Sequence, residues 1–527
     1  MKNDLKRALS LLLALSMVLV FASCSDNTDP AATPNPGETA TPNDPAAPAD
    51  SGAPVGKNEL IVALPGEPST LDPYAHTLYY GFIPAPLIFD TLISKDENGE
   101  FQPELATEWS FTDDTTLVFK LREGVTFSNG NKFTAEDVKY TLQKAVESTF
   151  SGSLFDCIDL ENTTITNDTE IVVKLKYAYA PLLDLLTSFR GGILDHISYE
   201  ADPDAYGHSP IGTGPMKLIN WVSGDRIELE ANSNYWGEPL AYSKCVFRVI
   251  VESSSRTIEL ETGGVDIAVE VPFSDWSRVE DAPTLNLVSG QTNILASLVF
   301  NNSYDTFKDE RVRKALAYGL DLNALVQTVW EGTADVADSY YARNLLGYKV
   351  EGPMGYDVEK AKTLLAEAGY PNGFDLTYTT YQTTLNQAFA EVLQSMWGQI
   401  GVNVKIDIVD LATFTSMNNN GELTAALLTP SVAIADPAAA LLLWPVARTI
   451  SLRHNDQHIQ DLLDAGSSTY DTDERAAIYQ ELQDYLYEKT YTVPVAYTKF
   501  AFGIQDSVQG FTFDPSQVPD LTRVYFG

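Results

Sequence analysis

Apolar and polar residues alternate in several short runs that predict β-strands. Glu59-Leu-Ile-Val-Ala63 opens the series. Leu117-Val-Phe-Lys-Leu121 alternates with period two and runs into a turn at Gly124. Val402-Asn-Val-Lys-Ile-Asp-Ile408 and Val493-Pro-Val-Ala-Tyr497 repeat the pattern downstream. Between such runs the period lengthens to that of a helix. Thr134-Ala-Glu-Asp137 reads as a capping box with Asp in place of Glu, after which Val138, Leu142, Ala145 and Val146 share one face. Val312, Ala315, Leu316, Gly319 and Leu320 form a second face behind a cap at Asp309. Ala361, Leu364, Leu365 and Ala368 form a third behind Asp357, with Gly369 placed as a C-cap. Ile459, Leu462 and Leu463, then Ile478, Leu482, Tyr485 and Leu486, mark two more helices. Strands and helices alternating without an internal repeat predict an α/β protein with more than one sheet.

Before residue 58 the pattern is different. Lys2, Lys6 and Arg7 precede an apolar run from Ala8 to about Val20, which is short for a bilayer span. Small residues follow, ending at Cys24, as in a secretory signal. Phe21-Ala-Ser-Cys24 resembles the lipobox of bacterial lipoproteins, although Phe is unusual at its leading position. The resemblance implies cleavage before Cys24 and a diacylglycerol on its thiol. An uncleaved anchor helix and a plain secretory signal are the alternatives, and all three place the remaining chain outside the cytoplasm. Residues 24–57 are rich in Pro, Ala, Asp, Asn, Thr and Gly and too poor in apolar side chains to offset ordering entropy. They are expected to be a disordered tether with a span of roughly 30 Å or more.

Charge narrows the partners. Removing residues 1–23 takes the basic count from 34 to 31 and the acidic count from 72 to 71, so the net charge moves from -38 to -40. Such a chain is repelled by phosphate backbones and anionic head groups, which argues against nucleic acid and leaves a lipid on Cys24 as the route to the membrane. Cys157 and Cys245 could form one bridge, but two thiols buried separately is the simpler reading. From 58 to 527 the chain is long enough for about three units.

Few motifs carry chemistry. Gly212-Thr-Gly-Pro215 lacks the Lys-Ser/Thr of a phosphate loop and reads as a turn before a strand over Met216–Trp221. His454 and His458 have metal-compatible spacing, but Asn455 or Asp456 should cap a helix between them, leaving a solvated helix start. His76, His196 and His208 are scattered, with no Cys-His cluster. No cofactor is implied.

Several segments in register carry a resemblance. They are Leu71-Asp72-Pro73, Phe101-Gln-Pro-Glu-Leu-Ala-Thr-Glu-Trp109, Phe119-Lys-Leu-Arg-Glu-Gly-Val-Thr-Phe127 and Phe133-Thr-Ala-Glu-Asp-Val-Lys-Tyr140. Gly212-Thr-Gly-Pro215 with Trp221, Gly224-Asp-Arg226 and Tyr235-Trp236 follows, then Asp309-Glu-Arg-Val-Arg-Lys-Ala315 and Tyr356-Asp-Val-Glu-Lys-Ala-Lys362. Together they resemble family 5 extracellular solute-binding proteins, the dipeptide, oligopeptide and nickel-binding class of ABC importers. The resemblance implies a two-lobed periplasmic-binding-protein-like α/β fold of the large class II type, with an extra inserted α+β domain. It places lobe I at 58–88, 205–290 and 495–527, the inserted domain at 89–204, and lobe II at 291–494. The chain would cross between lobes near Gln291–Ile294 and Thr492–Val495. Trp109, Phe119, Phe127 and Phe133 would then be core of the inserted domain.

The function implied is capture of a peptide-like solute between the lobes and delivery to ABC permease subunits, without catalysis. The protein would sit on the outer face of the cytoplasmic membrane through lipid on Cys24. An oligosaccharide ligand, or a secreted glycoside or peptide hydrolase, is the alternative. Peptide binders of the family pair an Asp with the peptide ammonium in an Asp-aromatic-Pro-Asp-Pro segment. This chain has Ser431-Val-Ala-Ile-Ala-Asp436-Pro437. Asp436 could match the second Asp, which puts Ala433 at the ammonium position, or the first, which leaves the next aromatic missing. Tyr74, His76, Tyr79, Tyr80, Asn293, Asp436, Trp444 and Arg448 are the ligand-contact candidates. Arg448 is suited to a bidentate carboxylate contact.

The anchor is directly testable. Cys24→Ser should abolish lipid attachment and block processing, read by detergent-phase partition and intact mass. A fully processed, lipid-modified Cys24→Ser product would contradict the lipobox reading.

Overall fold

Two long antiparallel strands, Leu285–Phe300 and Thr492–Gln505, form the axis of the structure. It is a computed structural model that describes residues 57–76, 78–96, 98–429, 434, 436–440 and 452–527. Leu285 to Gln291 pair with Gln505 to Lys499, and Leu295 to Val299 pair with Tyr497 to Thr492. The ladder breaks between these blocks, at residues 292–294. On one side of the break Ile267–Val269 adds to the pair, followed by Glu59–Leu64, Lys244–Val249, Arg226–Ala231 and Met216–Val222. On the other side Ala425–Leu428 and Ala334–Val336 add to it. One nine-stranded sheet therefore serves both lobes. Glu59–Leu64 lies parallel to both its neighbours, and its apolar run is buried, as strands covered on both faces require.

A separate antiparallel sheet orders Ala106–Asp113, Thr116–Leu121, Glu170–Leu175 and Ile158–Asn167. The helix Ala135–Glu147 packs beside it behind the capping box read from the sequence, with the Thr134 amide donating to Asp137 Oδ2 at 2.8 Å. Val138, Leu142 and Ala145 are buried and Val146 half-buried. Phe119, Phe127 and Phe133 are core, and Trp109 packs against them half-buried. This core is continuous with that of the first lobe, since Leu117 and Phe119 share one apolar cluster with Leu60 and Val62. Gly212 shows why that junction needs glycine. A Cβ there would lie 1.9 Å from the Ile88 carbonyl oxygen, to which the Gly214 amide donates at 2.9 Å.

In the second lobe the parallel pair Asp375–Tyr381 and Asn403–Val409 is flanked by helices including Thr384–Gly398. The Trp397 indole N–H of that helix donates to Leu316 O at 2.9 Å. Asp309 and Asp357 cap their helices as read, and Gly369 adopts the left-handed conformation, φ +94°. Cys157 and Cys245 are free and buried, and burial pushes the Cys157 thiol up to about 12. No helix among the described residues is long and apolar enough to cross a membrane. Cys24 and the 24–56 part of the tether lie outside the described residues.

Candidate functional site

The break in the long ladder is closed by side chains. Thr292 Oγ1 donates to Thr498 O at 3.2 Å and accepts from the Ile294 amide at 3.1 Å. Asn293 is buried here. Its amide donates to Pro515 O at 2.9 Å, and its Oδ1 accepts from Asn344 at 2.6 Å. The backbone amide and side-chain oxygen of this expected ligand contact thus have protein partners at the break.

The loop after Glu59–Leu64 carries the first group of candidates. Asp72 Oδ1 accepts from the Tyr74 amide at 2.8 Å and folds the loop back. Tyr74 is core rather than lining. It is 5% exposed, its hydroxyl donates to Gly192 O at 3.1 Å, and its ring meets Phe155 edge-on. His76 is also buried, stacked on Phe82 with ring centroids 4.1 Å apart. Burial, then the nearby Arg190 charge, pushes its ring down to about 4. Tyr79 and Tyr80 are half-buried and meet edge-on at 5.4 Å. Tyr79 also packs edge-on against Phe500 at 5.6 Å, and its hydroxyl donates to Glu270 Oε2 at 2.5 Å. Glu270 holds a left-handed backbone, φ 59°, which costs a non-glycine residue of order 1–3 kcal/mol. Arg256 steadies it by donating to the carbonyls of Val269 and Glu270.

The second lobe brings Asp436. Arg475 grips it through two parallel bonds, Nη1 to Oδ2 at 2.7 Å and Nη2 to Oδ1 at 2.8 Å, with both side chains buried. Oδ1 also accepts from the Ala438 amide at 2.8 Å. The carboxylate expected to meet a solute ammonium already has a guanidinium, as a scaffold residue would. That favours matching Asp436 to the second Asp of the family segment. Ala433, Trp444 and Arg448 lie outside the described residues. Ile434, however, joins the apolar cluster of the first lobe, so this segment reaches across.

A further set of contacts links the second lobe to the four-stranded unit. The Tyr470 hydroxyl donates to Asp114 O at 2.9 Å and accepts from the Tyr179 amide at 3.3 Å. The Ala180 amide donates to Ser467 O at 2.8 Å, and the Tyr470 ring tilts against Phe111 at 4.8 Å. Tyr470, Phe500, Glu270, Arg190 and Arg475 escaped the sequence reading. They sit in no recognised motif, and their partners are distant in sequence.

The histidine pair does not converge on a metal. Asp456 caps Gln457–Ser468, and His454 lies outside that helix, as read. The helix start is solvated, with Gln457 and His458 exposed, whereas His454 before it is buried, its Nδ1 accepting from the Asp456 amide at 3.2 Å and its ring 5.3 Å from Tyr491. Asp137, Asp195 and His196 do come together. There Asp137 completes the capping box and bonds His196 Nδ1 at 2.7 Å, while Asp195 Oδ2 accepts from Asn129 and Asn131. This cluster ties helix starts to a loop.

Residues 100–448 match the model for bacterial extracellular solute-binding proteins, family 5 Middle, well over half the chain. The chain belongs to that family. The glutathione-binding protein GsiB of Escherichia coli O1:K1 is 24% identical over 472 residues, covering 87% of this chain and 92% of GsiB. Heme-binding protein A of Haemophilus influenzae is 25% identical, covering 81% and 85%. The periplasmic binding protein DppA of Helicobacter pylori, solved with the peptide STSA, superposes with a TM-score of 0.76 at 26% identity. That match covers 89% of this chain and 98% of DppA. The fold is thus the two-lobed, large class II architecture of periplasmic binding proteins, and this family 5 member is a solute-binding protein.

Asp436 now has a testable structural role. Asp436→Ala should destabilise the solute-free protein by about 3–5 kcal/mol, because it strands a buried guanidinium. The double variant Asp436→Ala/Arg475→Met should recover much of that loss in denaturant melts. Unchanged stability with weakened solute binding would return Asp436 to the role of an ammonium anchor.

Proposed function

We propose that this protein captures a peptide-like solute between its lobes and presents it to the membrane subunits of an ABC importer, held at the outer face of the membrane by lipid on Cys24. The observation that carries the reading is the break in the two-strand ladder. Each lobe has its own flanking strands, and only these two strands are shared, so the unpaired residues 292–294 form a hinge. A solute bridging the lobes favours the closed state because it touches both walls only there. The half-buried Tyr79 and Tyr80, Tyr79 packed on the buried Phe500, are the aromatic candidates for the cleft, and Tyr470 joins the second lobe to the four-stranded unit. Relatives whose names record glutathione or a bound peptide support a peptide-like solute.

The pairing of Asp436 with Arg475 favours a second reading of the ligand. A solute without an α-ammonium needs no carboxylate at that position, and aromatic rings suit the apolar face of a sugar. Oligosaccharides therefore belong in the same test.

Calorimetry with Ser-Thr-Ser-Ala, glutathione and cellobiose, followed by mass spectrometry of each after long incubation, separates the readings. A peptide or glutathione should bind near micromolar affinity, about -8 kcal/mol, and be recovered intact. Cellobiose binding alone would move the assignment to sugars. Cleavage at catalytic rates would replace the binding-protein reading with a hydrolase.

A further inference from the structure

Arg190, Arg256, Arg313 and Arg475 are each at most 6% exposed. In three of them every guanidinium nitrogen has an acceptor. Arg256 donates to the carbonyls of Ile250, Val251, Val269 and Glu270. Arg313 donates to those of Phe307, Lys308, Lys489 and Thr490. Arg475 holds Asp436. Arg190 differs, because its Nε and Nη1 are buried with no acceptor among the described residues.

The surroundings of Arg190 cover its face and leave its edge. The guanidinium lies 4.8 Å from the centre of the Phe82 ring and 5.6 Å from that of Phe189, and those two rings stack at 4.0 Å. His76 stacks on Phe82, and its Nδ1 is a second buried atom without a partner. The Tyr74 hydroxyl, the other polar neighbour, donates to Gly192 O, and neither Arg190 Nε nor Nη1 bonds its oxygen. Among the described residues no carboxylate pairs with Arg190, and burial pushes its guanidinium down. Nor do the stretches either side of Asp436 and the helix Pro437–Ala440 carry one, since residues 430–435 and 441–451 contain no Asp or Glu.

A buried guanidinium without a counter-charge is strongly unfavourable, and its fork of N–H donors matches a carboxylate. Its neighbours Tyr74, His76 and Phe82 lie on the same stretch of chain as Tyr79 and Tyr80, with Tyr79–Phe82 forming a short helix. We propose that Arg190, with His76 beside it, is an anion subsite that receives a carboxylate of the solute. The proposal rests on the solute-binding reading and narrows it. The solute is an acid, anchored by its carboxylate on the first-lobe side rather than by an ammonium at Asp436.

Two measurements test it. The first compares melting of the solute-free wild type and Arg190→Met. Removing an uncompensated buried charge should raise the melting temperature, by about 1–3 °C. A lower melting temperature would make Arg190 a structural residue and overturn the proposal. The second is calorimetry with Ser-Thr-Ser-Ala and its C-terminal amide. The wild type should bind the free acid more tightly by about tenfold or more, a preference that vanishes in Arg190→Met and partly returns in Arg190→Lys. Equal affinity for acid and amide in the wild type would overturn it. Binding of cellobiose with neither peptide form would leave the solute-binding reading standing and remove the acid subsite. Hydrolysis of any probe would remove the solute-binding reading itself. If no probe binds, the melting comparison alone decides.

Discussion

The rest of the structure depends on the pairing of Leu285–Phe300 with Thr492–Gln505. Among the described residues these strands are the only ladder shared by the two halves of the nine-stranded sheet. Their backbone bonds fix the lobes in one register, because a shift of one residue would turn every buried side chain to the wrong face. The same pairing lapses at residues 292–294, where Thr292 and Thr498 substitute a side-chain contact for ladder bonds. A ladder that is continuous within each lobe and interrupted between them resists shear but tolerates bending. That is the mechanical property a two-lobed binder needs.

Buried charge then divides scaffold from site. Arg256 and Arg313 fix chain turns by saturating carbonyls, and Arg475 neutralises Asp436 beside a helix start. Each is compensated within the protein and stabilises one geometry. Arg190 is buried to a similar degree without such compensation, which sets the proposed carboxylate subsite apart from the scaffold charges. Glu270, strained and bonded to Tyr79, is a second place where the fold sustains an unfavourable local state.

Local features were legible in the sequence, and long-range ones were not. The Thr134–Asp137 capping box, the Asp309 and Asp357 caps and the Gly369 stop depend on residues a few positions apart, so their motifs could be read directly. The family segments were legible for the same reason. Asp436 reads as a ligand contact in sequence because Arg475, with which it pairs, is 39 residues away. Tyr74 and His76 stood in a loop that suggested exposure, yet Gly192 and Phe82 bury them. Arg190 showed nothing in sequence, since what distinguishes it is the lack of an acceptor in three dimensions.

The central claim is that the lobes close about the break in the ladder when a solute is held between them. Small-angle X-ray scattering of the protein stripped of solute, then reloaded with the solute that calorimetry identifies, tests it most directly. The account predicts a smaller radius of gyration on reloading, with the solute recovered chemically unchanged. Tight binding with no change in the radius of gyration would contradict it.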